Sequence, residues 1–240
     1  MVSTFSMRLI VDSVNMTPRS ATLEPMTTST YHHGDLREAL VDAAVAAVRE
    51  DGPDSLRIRD LARRVGVSHN AAYRHFADRD GLIAEVSERV MHRLLQQMQT
   101  RLSAVSTEDP VLRARQRLAE TGRAYVDFAL SEPGLFRLAF SSLVVVGETL
   151  PPTDRDPYAL LGHVLDDLVD VGFLAVDARP SAEITCWASV HGFSVLCIDG
   201  ALRGAGEADR AAALEQMLTS IDRSYAATTG AQTAPGDLRV

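Results

Sequence analysis

The chain has 240 residues, of which 46% are hydrophobic and 23% charged, as is ordinary for a globular protein of one or two domains. Its formal net charge of -8 argues against unspecific nucleic-acid binding by the whole protein, but it does not exclude a local basic surface. Cys186 and Cys197 are spaced ~16 Å apart along one predicted helix, too far for a disulfide. This cysteine usage is typical of a reducing compartment, and we expect a cytoplasmic protein.

Neither end of the chain has an obvious packing pattern. Residues 1–30 lack the apolar core of a signal peptide, and we expect a disordered leader there, with Met16 and Met26 as alternative starts. Residues 229–240 are predicted to form a flexible tail. The uncharged stretch 184–198 is shorter than the ~20 residues that a membrane span needs, so no membrane partner is expected.

The first predicted helix, over residues 33–50, ends at Asp-Gly-Pro. The next segment, residues 58–76, is IRDLARRVGVSHNAAYRHF. It contains a short helix pattern, a tight turn at Gly66 and a second short helix that Ser68 can cap. Arginine occupies positions 57, 59, 63, 64 and 74. The segment predicts a helix-turn-helix, which places one helix in the major groove of DNA while flanking groups contact phosphates. A solvated helix of any small helical domain is the alternative interpretation.

The second short helix divides into an apolar and a polar face. Ala71, Ala72 and Phe76 are predicted to face the core. The side chains left for the outer face are His69, Asn70, Tyr73 and Arg74. Asparagine can form two hydrogen bonds with adenine, arginine can do so with guanine, and the N-terminal end of such a helix usually meets base edges. Tyr73 and His75 suit phosphate oxygens.

The rest of the chain is predicted to be helical. Six further helices are expected at about 80–104, 112–131, 135–140, 158–171, 181–202 and 209–225. The predicted fold is therefore all-α with about nine helices. An N-terminal three-helix helix-turn-helix domain (31–80) precedes a helical ligand-binding and dimerisation domain (81–228), whose first helix (81–104) connects the two.

One predicted C-terminal helix is apolar nearly all round. Trp187 and His191 share one of its faces, because they are four residues apart, and Cys186 and Val190 lie on another. Such a helix is buried on more than one side, which predicts one side toward an internal cavity and one toward a partner subunit. The candidate ligand-binding residues are Phe128, Phe136, Phe140, Trp187 and His191. Plain core or dimer packing is the alternative role for them.

Signatures of enzymes are missing from the sequence. It has no Walker loop, dinucleotide fingerprint, HExxH, GxSxG or paired CxxC motif. His163 lies on one helix face with Asp166, Asp167 and Asp170, a pattern typical of a solvated acidic face. We expect no catalytic residues, no metal and no cofactor.

Residues 33–86 resemble the DNA-binding domain of the TetR family of bacterial transcriptional repressors. The resemblance is carried by LREALVDAAVAAV, RIRDLARRVGVS and AYRHFADRDGLI. Ala72 departs from the family pattern, in which a larger aliphatic residue is usual. Further along, Trp187-x-x-x-His191-Gly192 resembles the signature of the WHG subgroup of TetR C-terminal domains.

The resemblance implies roles for the polar residues of the helix-turn-helix. Arg59, His69 and Asn70 would contact bases, and Arg74 either bases or phosphates. The residues implied to hold the DNA backbone are Arg57, Tyr73, His75 and Arg79, with Ser68 as the helix cap.

The resemblance also implies a homodimer, paired through the last two helices, on a pseudo-palindromic operator of double-stranded DNA. A small-molecule effector in the C-terminal domain would release this repressor from the DNA. The apolar residues expected at the dimer interface are Ala201, Leu214, Met217, Leu218 and Ile221. Two alternatives stay open: an effector-independent DNA-binding activator or architectural protein, and a helical enzyme or carrier with a TetR-like start.

Overall fold

A computed structural model describes residues 33–145 and 156–228 of the chain. Within these ranges the secondary structure consists of nine α-helices and two short 3-10 segments, with no strand. The all-α prediction with about nine helices is confirmed. The predicted leader and tail, 1–30 and 229–240, lie outside the described residues.

The helices are, in chain order, α1 (His33–Asp51), α2 (Ile58–Val65), α3 (His69–Tyr73), α4 (Arg79–Ser103), α5 (Pro110–Ser131), α6 (Pro133–Val145), α7 (Pro157–Asp170), α8 (Arg179–Ile198) and α9 (Glu207–Thr228). Helix α3 ends at Tyr73, three residues earlier than predicted. Helix α6 is longer than expected at both ends. At its start, Pro133 occupies a first-turn position, where its missing N–H costs no hydrogen bond. Helix α8 ends at Ile198 rather than near 202, and turns around Gly200 follow it.

The turn between α2 and α3 depends on one glycine. Gly66 has φ 79° and ψ 28°, a left-handed conformation that glycine adopts without a steric penalty. The N–H of Val67 donates to the carbonyl oxygen of Ala62 at 2.9 Å, which completes a Schellman-type helix end. On the other side of the turn, the hydroxyl of Ser68 accepts from the N–H of Ala71 at 3.2 Å, as predicted for a cap.

Helix α4 contacts helices from both the N-terminal and the C-terminal part of the described chain. It packs against α1 near the helix-turn-helix and against α5, α6 and α7 further along. Five of its eight buried residues belong to one continuous hydrophobic core that begins in α1 and extends to α8 and α9. The domain boundary near residue 80 remains a prediction, because this core continues across it.

Helix α6 also touches the first helix directly. A Cβ atom on Gly134 would lie 2.8 Å from the backbone oxygen of Val48, so the two backbones meet at this glycine. Beside this contact, Nε of Arg49 donates to both carboxylate oxygens of Glu132, at 3.0 and 2.9 Å. The end of α1 is thus fixed to the start of α6.

Candidate nucleic-acid interface and ligand cavity

Helix α3 exposes the polar face that was predicted for it. Ala72 and Phe76 are buried, and Ala71 is partly buried. The exposed residues of the segment are Ser68, His69, Asn70, Tyr73 and Arg74. Four of these side chains can hydrogen-bond a nucleic acid from a single short helix, while Ser68 is engaged as the cap.

The arginines around α3 fall into two groups. Arg63 pairs with Asp60, while Arg64 pairs with acidic residues at the end of α1, including Glu50 at 2.8 Å. In contrast, Arg57, Arg59 and Arg74 are exposed and form no ion pair within 33–145 and 156–228. Arg57, Arg59 and Arg74 therefore carry the positive charge that this surface can offer to phosphates or bases.

Arg79 has a structural task in addition to the phosphate contact predicted for it. Its Nε donates to the carbonyl oxygen of Leu56 at 3.1 Å, and its Nη2 donates to that of Pro53 at 3.2 Å. Two of its donors therefore hold the link between α1 and α2. The predicted phosphate contact would use the remaining N–H groups.

Arg37 is a residue of this region that the sequence analysis missed. Its Nη1 donates to the carbonyl oxygen of His75 at 3.0 Å, and its guanidinium lies 4.6 Å from the ring centroid of Phe76. Its Nη2 pairs with Glu85 on α4 at 2.6 Å. Arg37 thus fastens the end of α3 to α1 and α4. Its place within a helical hydrophobic pattern gave no sign of these contacts.

An aromatic cluster lies in the core of the C-terminal part. It consists of Tyr125, Phe136, Phe140, Trp187 and His191, whose ring centroids lie 4.7–6.4 Å apart in the contacting pairs. The hydroxyl of Tyr125 forms a hydrogen bond with Nδ1 of His191 at 2.9 Å. Burial lowers the pKa of His191 below its usual value and raises the pKa of Tyr125. Both groups are therefore held in their neutral forms.

A small cavity of about 40 Å³ opens between α4, α5, α7, α8 and α9. Its lining residues are Met98, Arg115, Leu118, Ala119, Thr121, Gly122, Tyr125, Leu161, Cys186, Trp187, Val190, Leu218, Ile221 and Asp222. Of the five predicted ligand residues, only Trp187 is among them. Phe136, Phe140 and His191 pack behind Tyr125 in the aromatic cluster, and Phe128 is buried in the core.

Tyr125 is the central residue that the prediction overlooked. It precedes Phe128 by three residues, so helical spacing alone places both on one side of α5 and could have identified it. The ion pair of Arg115 with Asp222 could not be found in this way, because the two residues are 107 positions apart.

The apolar residues expected at a dimer interface differ in exposure. Leu214 and Leu218 of α9 are buried within the subunit, Met217 and Ile221 are partly buried against its core, and Ala201 is exposed. Leu214 and Leu218 are thus covered by their own subunit, while the pairing of two subunits through the last two helices stays a prediction. The exposed apolar side chains of α8 are Ile184, Ala188, Val195 and Leu196.

Two family models match the chain. Residues 40–86 match the model described as bacterial regulatory proteins, tetR family. Residues 118–221 match the one described as Tetracyclin repressor-like, C-terminal domain. The chain belongs to the TetR family. The matched families and the named relatives are transcriptional regulators and not enzymes, and the WHG-type prediction for the C-terminal part is compatible with the second match.

Relatives of known name match this TetR-family chain over very different lengths. The HTH-type transcriptional regulator BetI of Serratia proteamaculans is 34% identical over 83 residues, which is 35% of this chain and 42% of BetI. The chain thus matches less than half the length of BetI. The uncharacterized HTH-type regulator YobS of Bacillus subtilis is 24% identical over 163 residues, 68% of this chain and 79% of YobS.

Solved structures share the fold over most of the chain. A protein of unknown function from Rhodococcus sp. RHA1 has a TM-score of 0.62 and 26% identity, with 83% of this chain and 97% of that chain covered. A TetR variant from Acinetobacter baumannii in complex with minocycline has a TM-score of 0.56 and 19% identity, with 80% and 97% covered. No described helix combines the length and apolar character needed to cross a membrane.

Proposed function

We propose that this TetR-family protein is a homodimeric, cytoplasmic repressor that binds an inverted-repeat operator through α3 and is released by a small molecule bound in its C-terminal part. The observation that carries the proposal is the exposed polar face of α3 next to unpaired arginines. Family membership supports the DNA-binding part. The minocycline complex of a protein with the same fold supports only the idea of a ligand in such a fold.

The arrangement of α3 suits a protein that distinguishes base sequences. His69 and Asn70 occupy its first turn and are exposed, and Arg59 extends from the neighbouring helix α2. We assign base contacts to these three residues. Arg57 and Tyr73 flank them and are assigned to phosphates, which fix the orientation of the helix on the duplex.

A dimer would give the operator its symmetry. Two α3 helices related by a two-fold axis occupy half-sites about one helical turn, 34–36 Å, apart or a multiple of it. The exposed apolar side chains of α8, with small residues such as Ala211 and Ala212 exposed on α9, supply a surface for a four-helix contact. This surface takes the place of Leu214 and Leu218, which are buried within their own subunit.

The aromatic cluster offers a route from the cavity to the DNA-binding helices. Tyr125 lines the cavity and also contacts Phe136, its ring centroids 5.8 Å apart in an edge-to-face arrangement. Phe136 lies on α6, whose first turn meets α1 through Gly134 and Val48. A ligand that moves Tyr125 would thus act on the position of α1. Complete reversal from bound to free requires about 5.5 kcal/mol of differential affinity for the two states.

The proposal is tested by selecting duplexes from a random pool near physiological salt. An inverted repeat is expected. On that repeat, Asn70→Ala should lose about 1–3 kcal/mol of affinity, with little change on random duplex. Arg57→Gln should weaken binding to both and reduce the salt slope by about one unit. Arg63→Gln is the matched control, since Arg63 already pairs with Asp60. Recovery of only salt-sensitive, unspecific binding would refute the proposal.

One observation favours a second candidate, a DNA-binding regulator without an effector. The cavity volume of about 40 Å³ is far below the ~300 Å³ or more that pockets for small molecules usually have. An effector therefore requires that the walls move apart. If diverse small molecules never reduce operator binding by the wild-type protein, the effector-independent alternative is supported.

A further inference from the structure

We propose that the ligand of the C-terminal cavity is an apolar carboxylic acid, whose carboxylate replaces Asp222 on the guanidinium of Arg115. This inference rests on the proposed function, because it assigns a chemical class to the effector. It depends on three features: the paired polar groups of the cavity, the ion pair at its edge, and the tight contact of α9 with α5.

The polar groups inside the cavity are mostly engaged already. The hydroxyl of Thr121 donates to the carbonyl oxygen of Arg117 at 2.9 Å, and that of Tyr125 bonds His191. The thiol of Cys186 lies 3.2 Å from the hydroxyl of Tyr225. The remaining lining is largely apolar, so a ligand body that enters there has to be apolar as well.

Arg115 and Asp222 are the only charged residues that line the cavity within the described part of the chain. Nε and Nη2 of Arg115 contact the two carboxylate oxygens of Asp222 at 2.9 and 2.6 Å, a bidentate arrangement. The two side chains are 38% and 28% exposed, which places the pair at the edge of the cavity, within reach of solvent. The pair itself demonstrates that this guanidinium accommodates a carboxylate.

The two partners differ in what would hold them after separation. The guanidinium of Arg115 also lies 4.8 Å from the ring centroid of Phe173, so it keeps a second contact when Asp222 leaves. Within the described residues, Asp222 pairs with Arg115 alone. Arg115 is therefore the fixed partner and Asp222 the exchangeable one. A ligand carboxylate can take the place of Asp222 with the same geometry, whereas a ligand cation would have to displace the better-held group.

Exchange at this pair would also enlarge the cavity. Asp222 lies on α9 together with Leu218 and Ile221, which form part of the cavity wall. Leu218 packs so closely on α5 that a Cβ atom on Gly122 would lie 2.8 Å from its Cδ2 atom. Release of Asp222 from Arg115 removes one of the contacts that hold α9 against α5. The volume needed by the apolar body then comes from displacement of α9.

The chain contains a matched control pair two turns away. Nε and Nη2 of Arg123 contact the two carboxylate oxygens of Glu215 at 2.7 and 2.6 Å, so this pair also joins α5 to α9 in a bidentate manner. Neither residue lines the cavity. Any effect that follows from loosening of α9 alone should appear equally at both pairs, and an effect of ligand exchange should appear only at Arg115 and Asp222.

The inference is tested by titrating the full chain, without DNA, with octanoate, octanamide and octylamine. Trp187 is the only tryptophan and lies in the cavity wall, so tryptophan emission reports on this site. Calorimetry provides a second readout of the same titrations. We expect saturable binding of octanoate and at least about tenfold weaker binding of octanamide and octylamine, as for loss of a charge-assisted hydrogen bond.

The variants separate exchange from loosening. Asp222→Asn should tighten octanoate binding at least about threefold, because the competing carboxylate is gone. Glu215→Gln should leave it within about twofold. Arg115→Gln should abolish the preference for the acid over the amide. Four results would each overturn the inference: equal binding of acid and amide, preference for the amine, absence of saturable octanoate binding, or equal effects of Asp222→Asn and Glu215→Gln.

Operator binding is measured separately. Octanoate binding without any duplex binding would refute the proposed function alone, and the reverse result would refute this inference alone.

Discussion

The hydroxyl of Tyr125 lies 2.9 Å from Nδ1 of His191, and this hydrogen bond connects α5 with α8 in the middle of the aromatic cluster. Burial lowers the pKa of His191, and the hydrophobic surroundings raise the pKa of Tyr125. The cluster therefore contains a neutral imidazole whose protonation would place a positive charge in the core. This property makes the folded state sensitive to mild acid.

The first prediction concerns the stability of the protein between neutral and mildly acidic pH. Well above its usual pKa of 6.5, His191 is neutral in both folded and unfolded states and contributes no pH dependence. As pH falls through 6.5, the unfolded chain binds a proton that the folded state still excludes, because its pKa is lowered there, so the free energy of unfolding decreases. His191→Gln should reduce this decrease, as measured by urea unfolding at a series of pH values. His163→Gln, at an exposed position of α7, is the control and should retain the wild-type profile.

The second prediction concerns the backbone contact between α6 and α1. Gly134→Ala would place a Cβ atom 2.8 Å from the backbone oxygen of Val48, and backbone cannot yield as a flexible side chain does. We expect a loss of about 1–3 kcal/mol in the free energy of unfolding, as for overpacking of a core. Gly81→Ala, at an exposed position of α4, should instead be neutral or stabilising, since alanine favours helices by up to ~1 kcal/mol. Equal effects of the two substitutions would contradict the described contact.

Much of the fold could be predicted because it depends on local spacing. The three-residue and four-residue recurrence of apolar side chains identified the nine helices, and Gly66 and Ser68 located the turn and cap of the helix-turn-helix. The outer face of α3 followed from the same rule. These features are fixed within a few helical turns of sequence, so they require no knowledge of tertiary contacts.

The cavity and the interface could not be predicted in the same way. Leu218 belongs to an apolar stripe that could cover either its own subunit or a partner, and only tertiary packing shows that it faces Gly122. Phe136 and Phe140 belong to the same aromatic cluster as Trp187, but Tyr125 lies between these two phenylalanines and the cavity. Which of several apolar residues borders an empty space depends on how helices cross, which a single helical period does not reveal.

A third prediction separates the two tasks of Arg79. Its contacts with the carbonyl oxygens of Leu56 and Pro53 involve a charged donor, and their loss should cost about 1.5–3 kcal/mol of unfolding free energy in Arg79→Ala. Arg93→Ala is the control, because Arg93 on the same helix makes no hydrogen bond or ion pair to another described residue. It should remain within about 0.5 kcal/mol of wild type. If Arg79→Ala leaves the unfolding free energy unchanged but lowers operator affinity and its salt slope, its role is phosphate contact alone.

The last prediction concerns the surface proposed for the pairing of two subunits. Val195 and Leu196 are 40% and 46% exposed near the end of α8, and Ile184 is 60% exposed near its start, so a long helix presents apolar side chains to solvent in the single subunit. Burial of these side chains against a second copy removes apolar area from water and is favourable by about 25 cal/mol per Å². A carboxylate at position 196 would have to be desolvated twice in a symmetric dimer, once from each subunit. Leu196→Glu should therefore raise the dissociation constant of the dimer at least about 100-fold, which corresponds to about 2.8 kcal/mol. Sedimentation at several concentrations measures this constant directly.

Val176→Glu is the matched control, since Val176 is 75% exposed but precedes α8, and it should leave the dimer intact. If Leu196→Glu sediments as wild type while Val176→Glu dissociates, the subunits pair through the start of α8 and the segment before it, and the proposed four-helix contact is wrong.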